Sequence, residues 1–226
     1  MSRARQYRAL VRKDIRLELG SGETALAMLL FCVVILVICQ FAFQRVANLA
    51  TLAGGILWIT IALTAVLAVG RSWAVERDQR VLDGILVAPA SRMVMALAKA
   101  TTIFGYLVLL ECFAVPLVAI LFVKEHVLAD IPLVAAVCVL ANIAIALLGT
   151  LVATLAVFTR ARDLILPVLF LPLVVPVVIA ASGATQAVLG VTNNMAEYRG
   201  DLGLLAGHAV ILALVGYATY EALFDD

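Results

Sequence analysis

Few side chains in this sequence could carry out chemistry, and their spacing matches no catalytic motif. The two histidines, His126 and His208, lie far apart, and the four cysteines form no CxxC pair and fall inside apolar stretches. None of the three lysines follows a glycine, so the phosphate-binding loop GxxxxGK[ST] is absent, as are GxSxG and HExxH. The sequence therefore predicts no catalytic residue and no metal site.

One acidic side chain stands alone in a long apolar run. Glu111 lies halfway along residues 101–122, which contain no other Asp, Glu, Lys or Arg. A carboxylate in hydrocarbon is costly, so such a residue faces the interior of a helix bundle or a cavity. We expect Asn142, His208 or Gln40 to satisfy it by hydrogen bonding, or the group to be protonated. A structural hydrogen bond and a functional role both remain open.

The densest group of charges lies in SWAVERDQRVLDGILVAPASRMVMALAK, residues 72–99. Charges of both signs fill its start, and Val81–Leu86 then places apolar residues at i, i+1, i+4 and i+5, which gives a short helix one apolar stripe. Pro89 ends that helix. A short amphipathic helix of this kind either docks into a groove of another protein or rests on lipid, and both interpretations stay open at this point.

The elements that position these residues are membrane spans. Of the 226 residues, 65% are hydrophobic and 14% are charged, whereas soluble domains have about 45–50% and about 25%. This composition excludes a soluble enzyme, a disordered chain and a disulfide-stabilised secreted domain. The sequence predicts an all-α polytopic membrane protein, one domain over residues 1–226, with six spans of about the length that crosses a bilayer. These are residues 24–43, 52–70, 101–122, 132–157, 165–183 and 204–220.

Basic residues are divided unevenly between the two sides of the predicted membrane. Of the 16 Lys and Arg residues, 13 lie before span one or in the links between spans two and three and between spans four and five. Only Arg45, Lys124 and Arg199 lie on the other side. The excess of cytoplasmic Lys and Arg in membrane proteins therefore places both termini in the cytoplasm.

Two further segments are expected to be helical outside the spans. Residues 5–19 place Tyr7, Leu10, Val11, Ile15 and Leu19 at helical spacing among basic residues, which predicts an amphipathic helix in the cytoplasmic interface of the membrane, although a solvated basic tail is the alternative.

Residues 184–203, between spans five and six, are too short to cross the membrane twice and too apolar for a simple loop. We expect a re-entrant or surface-lying helical piece there, with a plain loop as the alternative.

Several stretches resemble the heme exporter B (CcmB) family: RALVRKDIRLEL, the first span and, above all, ERDQRVLDGILVAPASRMVMALAK. The similarity runs along nearly the whole chain and includes the six-span layout and a proline-rich fifth span. It implies a permease subunit of an ABC-type complex in cytochrome c maturation, with a fold like that of type-two ABC exporters. It also implies a location in the bacterial cytoplasmic (inner) membrane. In that family the segment between spans two and three is a coupling helix, and the resemblance assigns the ATPase contact to Glu76, Arg77, Asp78, Val81, Leu82, Asp83, Gly84, Ile85 and Leu86.

The resemblance also implies partners. ATP hydrolysis belongs to a separate ATPase present in two copies, and a second copy of this chain, a haem-handling membrane subunit and a haem chaperone complete the complex. The bilayer is the remaining partner, and no nucleic acid is expected. Haem is a substrate or passing ligand and not a resident cofactor. His126, His208 and Met195 are the side chains that could approach haem iron, but isolated residues of these types usually serve packing or surface roles.

Two other functions are compatible with parts of the pattern. A type-two ABC exporter of lipid, polysaccharide or drug would share the coupling helix, and its gene neighbours would differ. A scaffold or an intramembrane enzyme would work without an ATPase, but an enzyme needs a catalytic constellation that the sequence does not contain.

Overall fold

The computed structural model describes residues 3–73, 92–123, 131–157, 159, 161–189 and 194–222. In this part of the chain the ordered elements are helices: α1 (Arg3–Ser21), α2 (Glu23–Ala42), α3 (Ala50–Arg71), α4 (Arg92–Val118), α5 (Ile131–Val157), α6 (Arg162–Val188) and α7 (Met195–Ala222). Helices α2 to α7 are each long and apolar enough to cross a membrane. The predicted all-α fold with six spanning helices is confirmed.

The third spanning helix begins earlier than the sequence analysis places it. α4 starts at Arg92, not near residue 101, and its first turns bury Val94, Met95 and Ala98 together with Lys99. The prediction stopped short because Lys99 interrupts the apolar run. Lysine is a good helix former, so the helix continues through it, and in the folded chain its buried charge is paired with an acid.

The end of α4 changes its helical register after a proline. Pro116 lies inside the helix, and a π-helical turn follows at Ala119–Val123. Proline has no N–H to donate to the carbonyl four residues earlier, and a π-turn is one way for a helix to continue past such an irregularity.

The interval between the last two spans contains no separate helical piece in the residues that the structure describes. α6 runs on to Val188 through Pro167, Pro172 and Pro176, and α7 already begins at Met195. The expected re-entrant or surface-lying helix over 184–203 is therefore wrong. Its apolar residues belong to the extended end of α6, where Ala184, Ala187 and Val188 are buried.

α1 packs against protein along part of its length, and its inward face differs from the predicted stripe. Tyr7, Leu10 and Val11 are half-buried as expected, but the next inward residue is the buried Asp14, whereas Ile15 is 49% exposed. Gly22, at a φ of 62°, separates α1 from α2 and allows the chain to turn there.

The bundle has a buried centre and an apolar outside. α3 and α5 are its most enclosed spans, and α2 and α7 are its most exposed. α3 lies so close to α6 that a Cβ atom on Gly54 would come within 2.8 Å of the backbone oxygen of Ser182. Nearby, the buried Trp58 donates a hydrogen bond from Nε1 to Thr185 Oγ1 at 2.8 Å. These contacts join α3 firmly to α6.

Candidate functional site

The residues predicted to contact an ATPase lie outside the described part of the chain. Glu76, Arg77, Asp78, Val81, Leu82, Asp83, Gly84, Ile85 and Leu86 all fall within residues 74–91. The structure does describe the two flanks of this segment, which are the end of α3 with Ser72 and Trp73, and the start of α4. The candidate site includes residues at these two flanks.

A buried ion pair joins α1 to the first turns of α4. Lys99 Nζ lies 3.2 Å from Asp14 Oδ2 and 3.4 Å from Asp14 Oδ1. Only 9% of the lysine side chain and 8% of the aspartate side chain is exposed. Two charges removed from water to this degree are retained only when they are well paired, because losing either partner leaves an uncompensated buried charge.

Hydroxyl groups complete this contact between α1 and α4. Thr102 Oγ1, one turn after Lys99, lies 3.3 Å from Asp14 Oδ2, and Thr101 Oγ1 lies 2.8 Å from the hydroxyl oxygen of Tyr7. Tyr7 and Asp14 are seven residues apart, so they lie on one face of α1 two turns from each other. The N-terminal helix is thereby fixed to α4 at two points.

The same lysine reaches the other flank of the segment. Lys99 Nζ lies 5.2 Å from the centre of the Trp73 ring, in the geometry of a cation–π interaction. Trp73 is 9% exposed and directly precedes residues 74–91. Lys99 therefore connects the residue that leads into this segment with the helix that leads out of it, and Asp14 ties both to α1. We call Asp14, Trp73 and Lys99 the anchor triad.

The intramembrane acid predicted from the sequence is also buried, and its partner is one of the three expected. Asn142 Nδ2 of α5 donates a hydrogen bond of 2.7 Å to Glu111 Oε2 of α4. Glu111 is 7% exposed and Asn142 is fully buried. The other two candidates do not satisfy it in the described residues: His208 bonds the backbone of its own helix at Leu204, and the buried Gln40 Oε1 has no hydrogen-bond partner there. Of the three partners that the sequence analysis leaves open, the structure places Asn142 beside Glu111.

The candidate haem ligands are not brought together in the described residues. His208 Nδ1 lies 3.2 Å from the backbone oxygen of Leu204, and Met195 is an exposed first residue of α7. His126 lies outside the described residues. Among the residues that the structure describes, no group of three or more His, Cys, Asp or Glu side chains could hold a metal ion.

The anchor triad is the feature that sequence reasoning missed. In the sequence, Lys99 stands at the end of the stretch that resembles the heme exporter B family, and Asp14 is an acid within a basic helix. A signal existed, because Asp14 follows Tyr7 and Val11 at helical spacing and so continues their face. A lone acid on the apolar face of one helix and a lone lysine at the start of an apolar helix are complementary.

Comparison with known proteins gives similarity along the whole chain. A family model described as CcmB protein matches residues 5–224. A protein named heme exporter protein B from Rhodobacter capsulatus is 32% identical over 219 residues, which cover 96% of this chain and 97% of the relative. Another of the same name from Bradyrhizobium diazoefficiens is 31% identical over 182 residues, which cover 80% of this chain and 81% of the relative.

Proposed function

This chain belongs to the CcmB family, and from that membership we propose that it is the permease subunit of an ABC-type complex for cytochrome c biogenesis. Its relatives carry the name heme exporter, so haem is the proposed substrate of the complex. The six spanning helices supply the membrane part of such a complex. Because the sequence has no phosphate-binding loop, ATP hydrolysis is assigned to a separate ATPase subunit.

The anchor triad is the structural observation that supports a mechanical role. When an ATPase pair closes on ATP, it would push on the coupling helix within residues 74–91. Trp73 and Lys99 lie at the two flanks of that segment and contact each other, and Asp14 adds α1. A displacement of the segment is therefore passed to α1, α3 and α4 together, and the close contact of α3 with α6 carries it into the bundle.

The proposed complex contains two copies of this chain, two ATPase subunits, a haem-handling membrane subunit and a haem chaperone. The stroke either moves haem between the helices or releases a haem-loaded chaperone from its partner. The termini are proposed to lie in the cytoplasm, since 13 of the 16 basic residues fall on that side in the six-span arrangement. Arg3, Arg5, Arg8, Arg12 and Arg16 of α1 are exposed, as contact with anionic headgroups requires.

Affinity purification in mild detergent tests the proposal. A tagged chain should recover an ABC ATPase, and Asp83→Lys should reduce that recovery and abolish cytochrome c maturation in a strain lacking the native gene. Glu23→Gln is the matched control, because Glu23 is a highly exposed acid at the same end of the bundle as α1. Recovery of the intact membrane protein without any nucleotide-binding subunit would refute the permease role. The tagged chain could recover an ATPase while the deletion strain, without this chain, still makes normal cytochrome c. That result would refute the role in haem delivery and leave the permease role standing.

A further inference from the structure

The contact between Glu111 and Asn142 has too few hydrogen-bond donors for the charged form of the acid. Asn142 Nδ2 donates to Glu111 Oε2, and the thiol of Cys138, one turn earlier on α5, faces the same carboxyl group as a weak donor. Glu111 Oε1 and Asn142 Oδ1 are both buried acceptors without a hydrogen bond among the described residues. The pair thus contains two acceptor oxygens that need one donor.

Among the described residues, no cation is placed to stabilise an ionised carboxylate here. The ion pairs in the described residues involve Asp14 and Glu23 and not Glu111. Lys99, on the same helix, is twelve residues away, which is roughly 18 Å along an α-helix. An unpaired carboxylate in a medium of low polarity takes up a proton instead of staying charged.

The titratable groups on the neighbouring helices do not change this balance. α3 has no titratable side chain between residues 50 and 70. In the part of the chain that the structure describes, Glu111 makes no hydrogen bond or ion pair with the thiols of Cys32 and Cys39 on α2, or with the acids and His208 of α7. Cys112, the next residue on α4, is exposed on another face. The groups that act on Glu111 are those of α5, namely Asn142 and Cys138.

We propose that Glu111 is a proton-binding site inside the membrane, where a proton on Oε1 supplies the missing donor and makes Glu111 and Asn142 a neutral acid–amide pair joining α4 to α5. Protonation forms one O–H bond at Oε1, and the bond that breaks is an O–H bond of a hydronium ion of the solvent, which becomes water. In this form the carboxylic acid accepts from the amide N–H and donates towards the amide oxygen. The inference rests on this contact alone and does not depend on the function proposed above.

Infrared spectroscopy of the purified protein in lipid nanodiscs at pH 7 tests the proposal. The wild-type chain should show the carbonyl stretch of a protonated carboxylic acid, and Glu111→Gln should remove it. Asp201→Asn is the control, because Asp201 is an acid at a less buried position of a spanning helix, and it should retain the band. Absence of the band from the wild-type chain, or its persistence in Glu111→Gln, would overturn the proposal.

Thermal unfolding of the same samples gives a second measurement. A glutamine at this position offers the same two groups as the protonated acid, one donor and one acceptor, so Glu111→Gln should unfold at the wild-type midpoint. Glu111→Leu, which leaves both polar groups of Asn142 unpartnered, should lower it. If Glu111→Gln fails to fold, or loses as much stability as Glu111→Leu, then the native side chain is charged and the proposal is wrong.

Discussion

Replacement of Lys99 by methionine should destabilise the protein far more than loss of an ordinary surface charge. The change keeps an unbranched side chain and removes the cation from a pair in which both side chains are more than nine-tenths buried. Loss of one partner of a buried ion pair costs about 3–5 kcal/mol. Asp14 would keep Lys13 at 3.2 Å, which is 39% exposed, and the Thr102 hydroxyl at 3.3 Å. Because Asp14 keeps these two partners, we expect a cost of about 2–3 kcal/mol, at or below the lower end of that range.

The size of this effect can be read from melting midpoints in detergent at one scan rate. For a chain of this length about 2–4 °C is lost per kcal/mol, so Lys99→Met should melt about 4–12 °C below the wild type. In a double-mutant cycle with Asp14→Asn, the two changes should be non-additive by about 1–3 kcal/mol. Each single change removes the same contact, and the double variant has no buried charge left to satisfy.

The chain contains a matched control for this experiment. Arg71 and Glu23 form an ion pair of 3.6 Å whose side chains are 55% and 68% exposed. Exposed pairs contribute about 0–1 kcal/mol, so Arg71→Met should shift the midpoint little. Equal shifts for Lys99→Met and Arg71→Met, or strict additivity in the cycle, would refute the conclusion that burial gives the pair its importance.

Three other changes probe the bundle and the haem ligand question. Gly54→Ala should destabilise the chain by about 1–3 kcal/mol, because the added methyl group meets a backbone oxygen of α6. In the control Gly55→Ala, the methyl group meets only a side-chain oxygen at 3.7 Å and should be tolerated. Equal melting midpoints for the two variants would contradict this packing. Thr185→Val should cost about 1–3 kcal/mol of stability, because it leaves the buried Trp58 N–H without its acceptor. Trp58→Phe should cost less stability in the Thr185→Val variant than in the wild-type chain, because the hydrogen bond is already lost there. His208→Ala should leave cytochrome c maturation intact, and its loss would indicate a ligand role for this histidine.

The spans were predictable because apolar length alone determines them. Each of the six apolar runs has no alternative to a helix in a bilayer, where the backbone must satisfy its own hydrogen bonds. The ends were less predictable, as the start of α4 shows. Lys99 breaks the pattern of hydropathy, and its contact with Asp14, 85 residues earlier, explains how a charged side chain is buried there.

The candidate site was predictable in part for the same reason. Glu111 was recognisable as an isolated intramembrane acid, and polar residues are so rare in the spans that Asn142 was one of three possible partners. The choice among them depends on which helices are neighbours, and a single sequence does not contain that information. The anchor triad combines residues from three helices, so no local spacing could reveal it.

The separation along the chain between Glu111 and Asn142 sets a condition on how the protein enters the membrane. The two residues are 31 positions apart, and a ribosome adds about 5–20 residues per second. Glu111 therefore leaves the ribosome about 2–6 seconds before its partner exists. A polar group of this kind opposes release of a lone helix into lipid. Entry of α4 and α5 into the bilayer together as a hairpin is therefore favoured, because Asn142 then satisfies Glu111 during insertion.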